Sequence, residues 1–208
     1  ATRASDDTTR VAPDYQSIDE GSRIVASTMS YVAAAEAFSD RRFKDAARLF
    51  SQYAERHPDV VWGHFMHGLS RRKNGDLGGA ETAFRQALSV SVDHLKSLQN
   101  LARVLIEQRR LEDATDVLLS AVDVEPTSNV NYRLLGRLFH VQGDTIRAIA
   151  AYRHAVVLHD RDVWAMNNLA VLFIEQGRYE DALRPLARAV GLRDDIPVFH
   201  NNLGMAME

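Results

Sequence analysis

A chain of 208 residues that is 46% apolar and 25% charged has the make-up of a folded, soluble protein with enough apolar material to bury a core. Its formal charge of -3, from 25 Lys and Arg against 28 Asp and Glu, gives no general attraction to nucleic acid or anionic lipid, so no nucleic-acid partner is expected and any basic site must be local. The absence of cysteine excludes disulfides, thiolate zinc sites, c-type haem attachment and cysteine nucleophiles, and no apolar run approaches the roughly 20 residues of a membrane helix, so direct membrane insertion is not expected.

Residues 1–22 are rich in Asp, Thr, Arg and Ser, carry Pro13 and lack apolar periodicity, which predicts a flexible tail ahead of a folded region over 23–208. The opening Ala-Thr-Arg-Ala suits the residues left after removal of an export signal and equally a cloning end, so both a cytoplasmic and an exported protein stay open. From Arg23 the apolar residues Ile24, Val25, Met29, Val32, Ala33 and Phe38 recur at helical spacing, and helical patterns run from there to the end.

Within that region Ala46, Ala80, Ala114, Ala148 and Ala182 are each 34 residues from the next. Four residues after each stands a large side chain, Phe50, Phe84, Leu118, Tyr152 and Leu186, so large and small residues share a helix face. A second ladder, His67-Gly68, Leu101-Ala102, Leu135-Gly136, Leu169-Ala170 and Leu203-Gly204, keeps the same period and lets two helices approach closely. Gly75, Gly143 and Gly177 fall where the chain must reverse, so each unit reads as a helical hairpin.

This unit resembles the tetratricopeptide repeat, with its 34-residue period, small residues in both helices and a proline near the unit end, a slot filled here by Pro58 and Pro126. The resemblance covers about 27–60, 61–94, 95–128, 129–162 and 163–196, with a partial sixth repeat over 197–208. It departs at Ser30 and Ala34 in the first repeat and at Val92, Asp160 and Asp194 in the proline slot. The fold it implies is all-α, a right-handed α-solenoid of stacked helical hairpins. Odd repeats open their second helix with Arg42 to Ala46, Arg110 to Ala114 and Arg178 to Ala182, whereas even ones open with Gly75-Asp76 and Gly143-Asp144. Asp45, Asp113 and Asp181 then sit where a carboxylate complements the positive end of a helix.

Signals for catalysis are weak. His64 and His67 have metal-ligand spacing but occupy packing slots without a third ligand, and Gly63 to Ser70 has a phosphate-loop spacing with Leu69 where lysine is required. No nucleophile elbow arranges a Ser, His and Asp set. Neither an enzyme activity nor a cofactor or metal is expected.

The resemblance instead directs attention to the concave groove, lined by the second, fifth, sixth and ninth positions of each first helix. In this sequence these are Trp62, Phe65, Met66 and Leu69, then Lys96, Gln99, Asn100 and Arg103, then Val130, Arg133, Leu134 and Arg137, then Trp164, Asn167, Asn168 and Val171, and finally Val198, Asn201, Asn202 and Met205. Asn100, Asn168 and Asn202 share one slot and are similar to the asparagine ladder of the O-linked N-acetylglucosamine transferase family, interrupted by Met66 and Leu134. Such amides either hold the backbone of an extended peptide or solvate the groove. Arg133 and Arg137 face one way on a helix with no carboxylate of that helix to relieve them, and with Arg103 and His140 they form either a basic patch for an acidic segment or salt bridges to Glu107 and Glu175. The carboxylate clamp of chaperone-binding relatives is not met, because Val198 and Asn202 stand where basic residues are needed. Trp62 and Trp164 lie at the groove edge, as binding anchors or as packing against the preceding hairpin.

These residues imply a scaffold that holds an extended or acidic segment of a protein or peptide partner within a larger assembly. The alternatives are the substrate-recruiting repeat region of a larger enzyme, for example a glycosyltransferase, and a structural subunit packed on a fixed partner. Pro197 to Glu208 supplies a first helix without a second to cover it, so the chain is expected to continue, or another chain to cover that helix, with self-association through the uncapped end.

Overall fold

The structure, a computed structural model, describes residues 21–208, with side chains from Met29 onward; the tail expected over 1–22 lies outside them except for Gly21 and Ser22, which open the first helix. Among the described residues there are eleven α-helices and no strand. They are α1 (Gly21–Ser39), α2 (Phe43–Arg56), α3 (Val61–Lys73), α4 (Leu77–Val90), α5 (Leu95–Glu107), α6 (Leu111–Val124), α7 (Asn129–Val141), α8 (Thr145–Leu158), α9 (Val163–Glu175), α10 (Tyr179–Leu192) and α11 (Pro197–Met207). The first helices α3, α5, α7, α9 and α11 begin 34 residues apart, at Val61, Leu95, Asn129, Val163 and Pro197.

Every hairpin reverses in the same way. Two residues beyond the end of each first helix the backbone is left-handed, at Arg41, Gly75, Arg109, Gly143 and Gly177, with φ between 61 and 84°. The next amide then reaches back to a carbonyl five residues earlier, as in Asp76 N to Arg71 O at 2.9 Å and Asp144 N to Phe139 O at 2.9 Å, which satisfies carbonyls a helix end leaves open. Glycine takes this conformation without a Cβ penalty at three turns; arginine takes it at the other two.

Packing divides the helices into two units, one ending at Val90 and the other beginning at Ser91. In the first, α1 packs on α2, α2 on α3 and α3 on α4, around Phe50, Tyr53, Phe65 and Phe84. Gly68 of α3 lies against the Phe84 ring so closely that a methyl group would meet it at 2.8 Å. The glycine spacing that resembles a phosphate loop is thus a packing surface: Gly63 meets the Tyr53 ring in the same manner, at 2.9 Å.

In the second unit α6 packs on α7, and α8 on α9, while the first helices also touch one another, α5 on α7, α7 on α9 and α9 on α11. No comparable contact joins α6 to α8 or α8 to α10, so the first helices form the closer-spaced inner layer and the second helices the outer one. Tyr152, Leu169, Leu172, Phe173 and Leu186 form the core of one stretch, and Val163, Met166, Ala189 and Phe199 that of the last hairpin and α11. Their burial, roughly 1.5 to 3 kcal/mol for each large side chain, holds the hairpins together.

Candidate partner-binding face

In the first unit Trp62 is half-buried and meets Phe65 edge-on, with ring centroids 5.3 Å apart. Phe65 and Met66 are buried, so of this helix's groove positions Trp62 and Leu69 retain surface. His67 is buried and accepts a hydrogen bond at Nε2 from Arg71 Nε at 2.8 Å, and the Arg71 guanidinium continues to Asp76 at 2.5 Å. Burial, with Arg71 alongside, pulls the His67 imidazole down to about 4, so it is neutral at ordinary pH. His64 Nε2 lies 2.9 Å from the Pro58 carbonyl. The two histidines thus have separate protein partners, and among the described residues no group of three His, Cys, Asp or Glu is placed to hold a metal.

The inner layer of the second unit brings together the remaining expected residues. Lys96 is exposed on α5; Asn100, one turn on, is half-buried and donates to the Lys96 carbonyl at 2.8 Å, and Arg103 is half-buried a turn further. On α7, Arg133 is mostly buried, with 20% of its side chain exposed, and donates at 3.2 Å to Asp162, whose side chain is 3% exposed. Arg137 stands 3.7 Å from Glu107 of α5, and His140 Nε2 lies 2.9 Å from Glu175 of α9. Arg133, Arg137 and His140 of the expected basic group thus each face a carboxylate from a neighbouring hairpin, and Arg137 keeps 42% of its side chain exposed.

Trp164, 45% exposed, touches Phe199 of α11 edge-on at 5.1 Å and leaves its outer face open at the rim. Asn168 is half-buried and shares a hydrogen bond with the hydroxyl of Tyr152, whose phenol burial pushes up to about 12. Asn202 donates to Asn167 Oδ1 at 2.8 Å, and Asn167 donates to Asn168 at 3.4 Å, so the amides of α9 and α11 form one hydrogen-bonded chain.

Four residues that sequence reasoning left without a specific partner organise this face. Gln99 donates to Asn131 at 2.8 Å, and buried Asn131 ties α7 back to the Ala121 and Glu125 carbonyls. Asp162 caps α9 through the Ala165 amide and also accepts from Asn129 at 2.6 Å, while Asn167 relays between Asn202 and Asn168. The signals were present: Asp162 immediately precedes a helix, and Gln99 and Asn167 occupy the same repeat position.

Two family models described as tetratricopeptide repeat match residues 71–138 and 133–196. The chain is 27% identical over 172 residues to "Cellulose synthase operon protein C" of Xanthomonas axonopodis pv. citri (strain 306), covering 78% of this chain and 11% of that protein. It is 24% identical over 163 residues to "Protein O-mannosyl-transferase TMTC3" of Homo sapiens, covering 70% of this chain and 18% of that one. The chain thus spans less than a fifth of the length of either relative. Among solved structures, TTC0263, a thermophilic repeat protein of Thermus thermophilus, superposes with a TM-score of 0.75 at 19% identity, covering 87% of this chain and 98% of that one.

Proposed function

Because the chain is a tetratricopeptide repeat protein, a fold suited to protein interaction, we propose that it is a non-catalytic scaffold that holds an extended segment of a protein partner along α5, α7, α9 and α11. The observation that carries this reading is the repetition of half-exposed polar side chains on successive inner helices, Asn100, Arg137, Asn168 and Asn202, beside the open face of Trp164. Amides donate and accept, which matches the two groups that every residue of an extended backbone presents; Trp164 supplies an apolar anchor. Arg137 adds a preference for a carboxylate on the partner.

The test places a photo-crosslinking amino acid at Asn168 and, in a separate variant, at Arg188 on the outer helix α10. Partner captured from Asn168 and absent from Arg188 is the expected result. The reverse pattern overturns the assignment of the inner face.

A second reading, that these repeats recruit substrate for a larger enzyme, is favoured by the similarity to a protein O-mannosyl-transferase, of which the matched region is a minor part. Expression of the full reading frame with assay for glycosyl transfer to the captured partner separates the two. Transfer in the full protein supports recruitment, and capture without transfer supports the scaffold.

A further inference from the structure

The inner helices of the second unit can be compared position by position, since equivalent residues lie 34 apart. One row of the face runs Lys96, Val130, Trp164 and Val198, and another runs Arg103, Arg137, Val171 and Met205. The amides Asn100, Asn168 and Asn202 lie in the row between them. Both flanking rows change from cationic to apolar in the same direction, from α5 towards α11.

The helices as wholes divide likewise. α5 and α7 hold four bases, Lys96, Arg103, Arg133 and Arg137, against one acid, Glu107. α9 and α11 hold one acid, Glu175, and neither lysine nor arginine. Exposed large apolar side chains follow the opposite division: α5 and α7 have none, whereas Trp164, Val198 and Met205 are all exposed at groove positions of α9 and α11. Single exposed apolar residues are ordinary. Three of them on two touching helices, beside a cationic stretch in a chain of net charge -3, make a face with two chemically different ends. Arg133 is fastened to Asp162, but Arg137 stands 3.7 Å from Glu107 and stays partly exposed, so a carboxylate from outside can still reach it.

The distance between the two ends sets a spacing. First helices of successive hairpins touch, so each step from one to the next is roughly 8 to 10 Å. From Arg137 on α7 to the rim between Trp164 on α9 and Val198 on α11 is then roughly 15 Å, which an extended chain covers in about four or five residues. We propose that the segment held on this face carries an acidic residue and a large apolar residue about four to six positions apart. The acid lies over α5 and α7, the apolar side chain over α9 and α11, and the backbone between them on Asn168. The motif presupposes the inner face as the binding face and adds what the bound sequence contains.

Selection of a phage-displayed library of random dodecapeptides on the full folded chain tests this. Enriched peptides are expected to pair Asp or Glu with an aromatic, Leu, Ile or Met residue at that spacing. Selection on Arg137→Glu is expected to replace the acid by Lys or Arg at an unchanged distance from the apolar residue, and selection on Met205→Arg to add an acid at the apolar end. Unchanged circular dichroism verifies the fold of both variants. A synthetic copy of an enriched peptide, amidated at its C-terminus, is expected to bind roughly tenfold or more weakly by fluorescence anisotropy when its acid and apolar residue are placed side by side at constant composition, since only one end contact then forms. No enrichment, enrichment without the spacing, the same sequences on all three proteins, or equal affinity of the rearranged peptide overturns the proposal. Capture through Asn168 of a protein whose bound segment lacks the spacing removes the motif and leaves the inner face as the binding face. Capture from Arg188 in place of Asn168 removes both.

Discussion

Gly136 lies under the ring of Tyr152, where an added methyl group would stand 2.6 Å from two ring carbons. Tyr152 is fully buried and cannot swing aside, so Gly136→Ala is expected to cost about 1 to 3 kcal/mol, read as a lower urea midpoint at unchanged slope. The turn residues point the other way. Arg109 is exposed and left-handed at φ 63°, in a slot that glycine fills at other turns, so Arg109→Gly is expected to raise stability by about 0.5 to 1 kcal/mol, seen as a higher midpoint in the same titration. His67 provides a pH signature. Its folded value near 4 lies below the ordinary 6.5, so the unfolded chain binds the extra proton first. The stability that goes with the neutral ring is complete above pH 6.5 and is lost as pH falls towards 4; His67→Gln should flatten that limb, and an NMR titration should find the imidazole neutral at pH 5.5. Small and large partners were legible in the sequence at this scale because they recur with the repeat. The left-handed arginines were not, since nothing in an arginine's chemistry marks a positive φ.

Helix beginnings show how one hairpin is fastened to the next. In even repeats Asp76 and Asp144 accept the Gly79 and Arg147 amides at 2.8 and 2.9 Å, and these backbone bonds, with the neighbouring arginines, hold both carboxyls below the usual carboxylate range. In odd repeats an arginine precedes the helix and reaches the first-turn carboxylate, as Arg110 Nε to Asp113 and Arg178 Nε to Asp181, each at 2.7 Å. The different openings visible in the sequence are thus two solutions to the same exposed helix end. Asp162 does more than cap, because Asn129 and Arg133 of α7 also converge on it. Asp162→Ala is expected to cost about 3 kcal/mol, with Asp162→Asn nearer 1, and to raise amide exchange at the start of α9. A loss under about 0.5 kcal/mol would show that the α7 contacts contribute nothing beyond an ordinary surface pair. The helix starts could be read from periodicity and caps, but the convergence on Asp162 could not, because it depends on the angle between hairpins.

Across the whole chain, the 34-residue register passes through Val90 and Ser91 without a change in spacing, so the division between the two units has no counterpart in the repeat pattern. Spacing fixes which residues are equivalent; packing between particular side chains decides where contact is dense. The same limit applies to the arginines of the inner face. A helix pattern places Arg133 and Arg137 together, while the carboxylates that answer them come from neighbouring helices. Reversing Arg133 would set a second carboxylate beside buried Asp162 and unfasten α9, so weaker binding in that variant would say little about the partner. Arg137 is the discriminating position, since its pair with Glu107 is long, at 3.7 Å, and partly exposed. Arg137→Glu should leave helicity and the urea midpoint nearly unchanged, because exposed pairs contribute about 0 to 1 kcal/mol. It should weaken binding of the partner captured through Asn168 several-fold if that segment carries a carboxylate. The difference between Arg137→Glu and the unaltered protein should then shrink as salt rises, since exposed charges are screened over about 10 Å at 0.1 M ionic strength. Equal affinity of the two folded proteins at low salt would remove Arg137 from the binding face and leave recognition to the amides and Trp164.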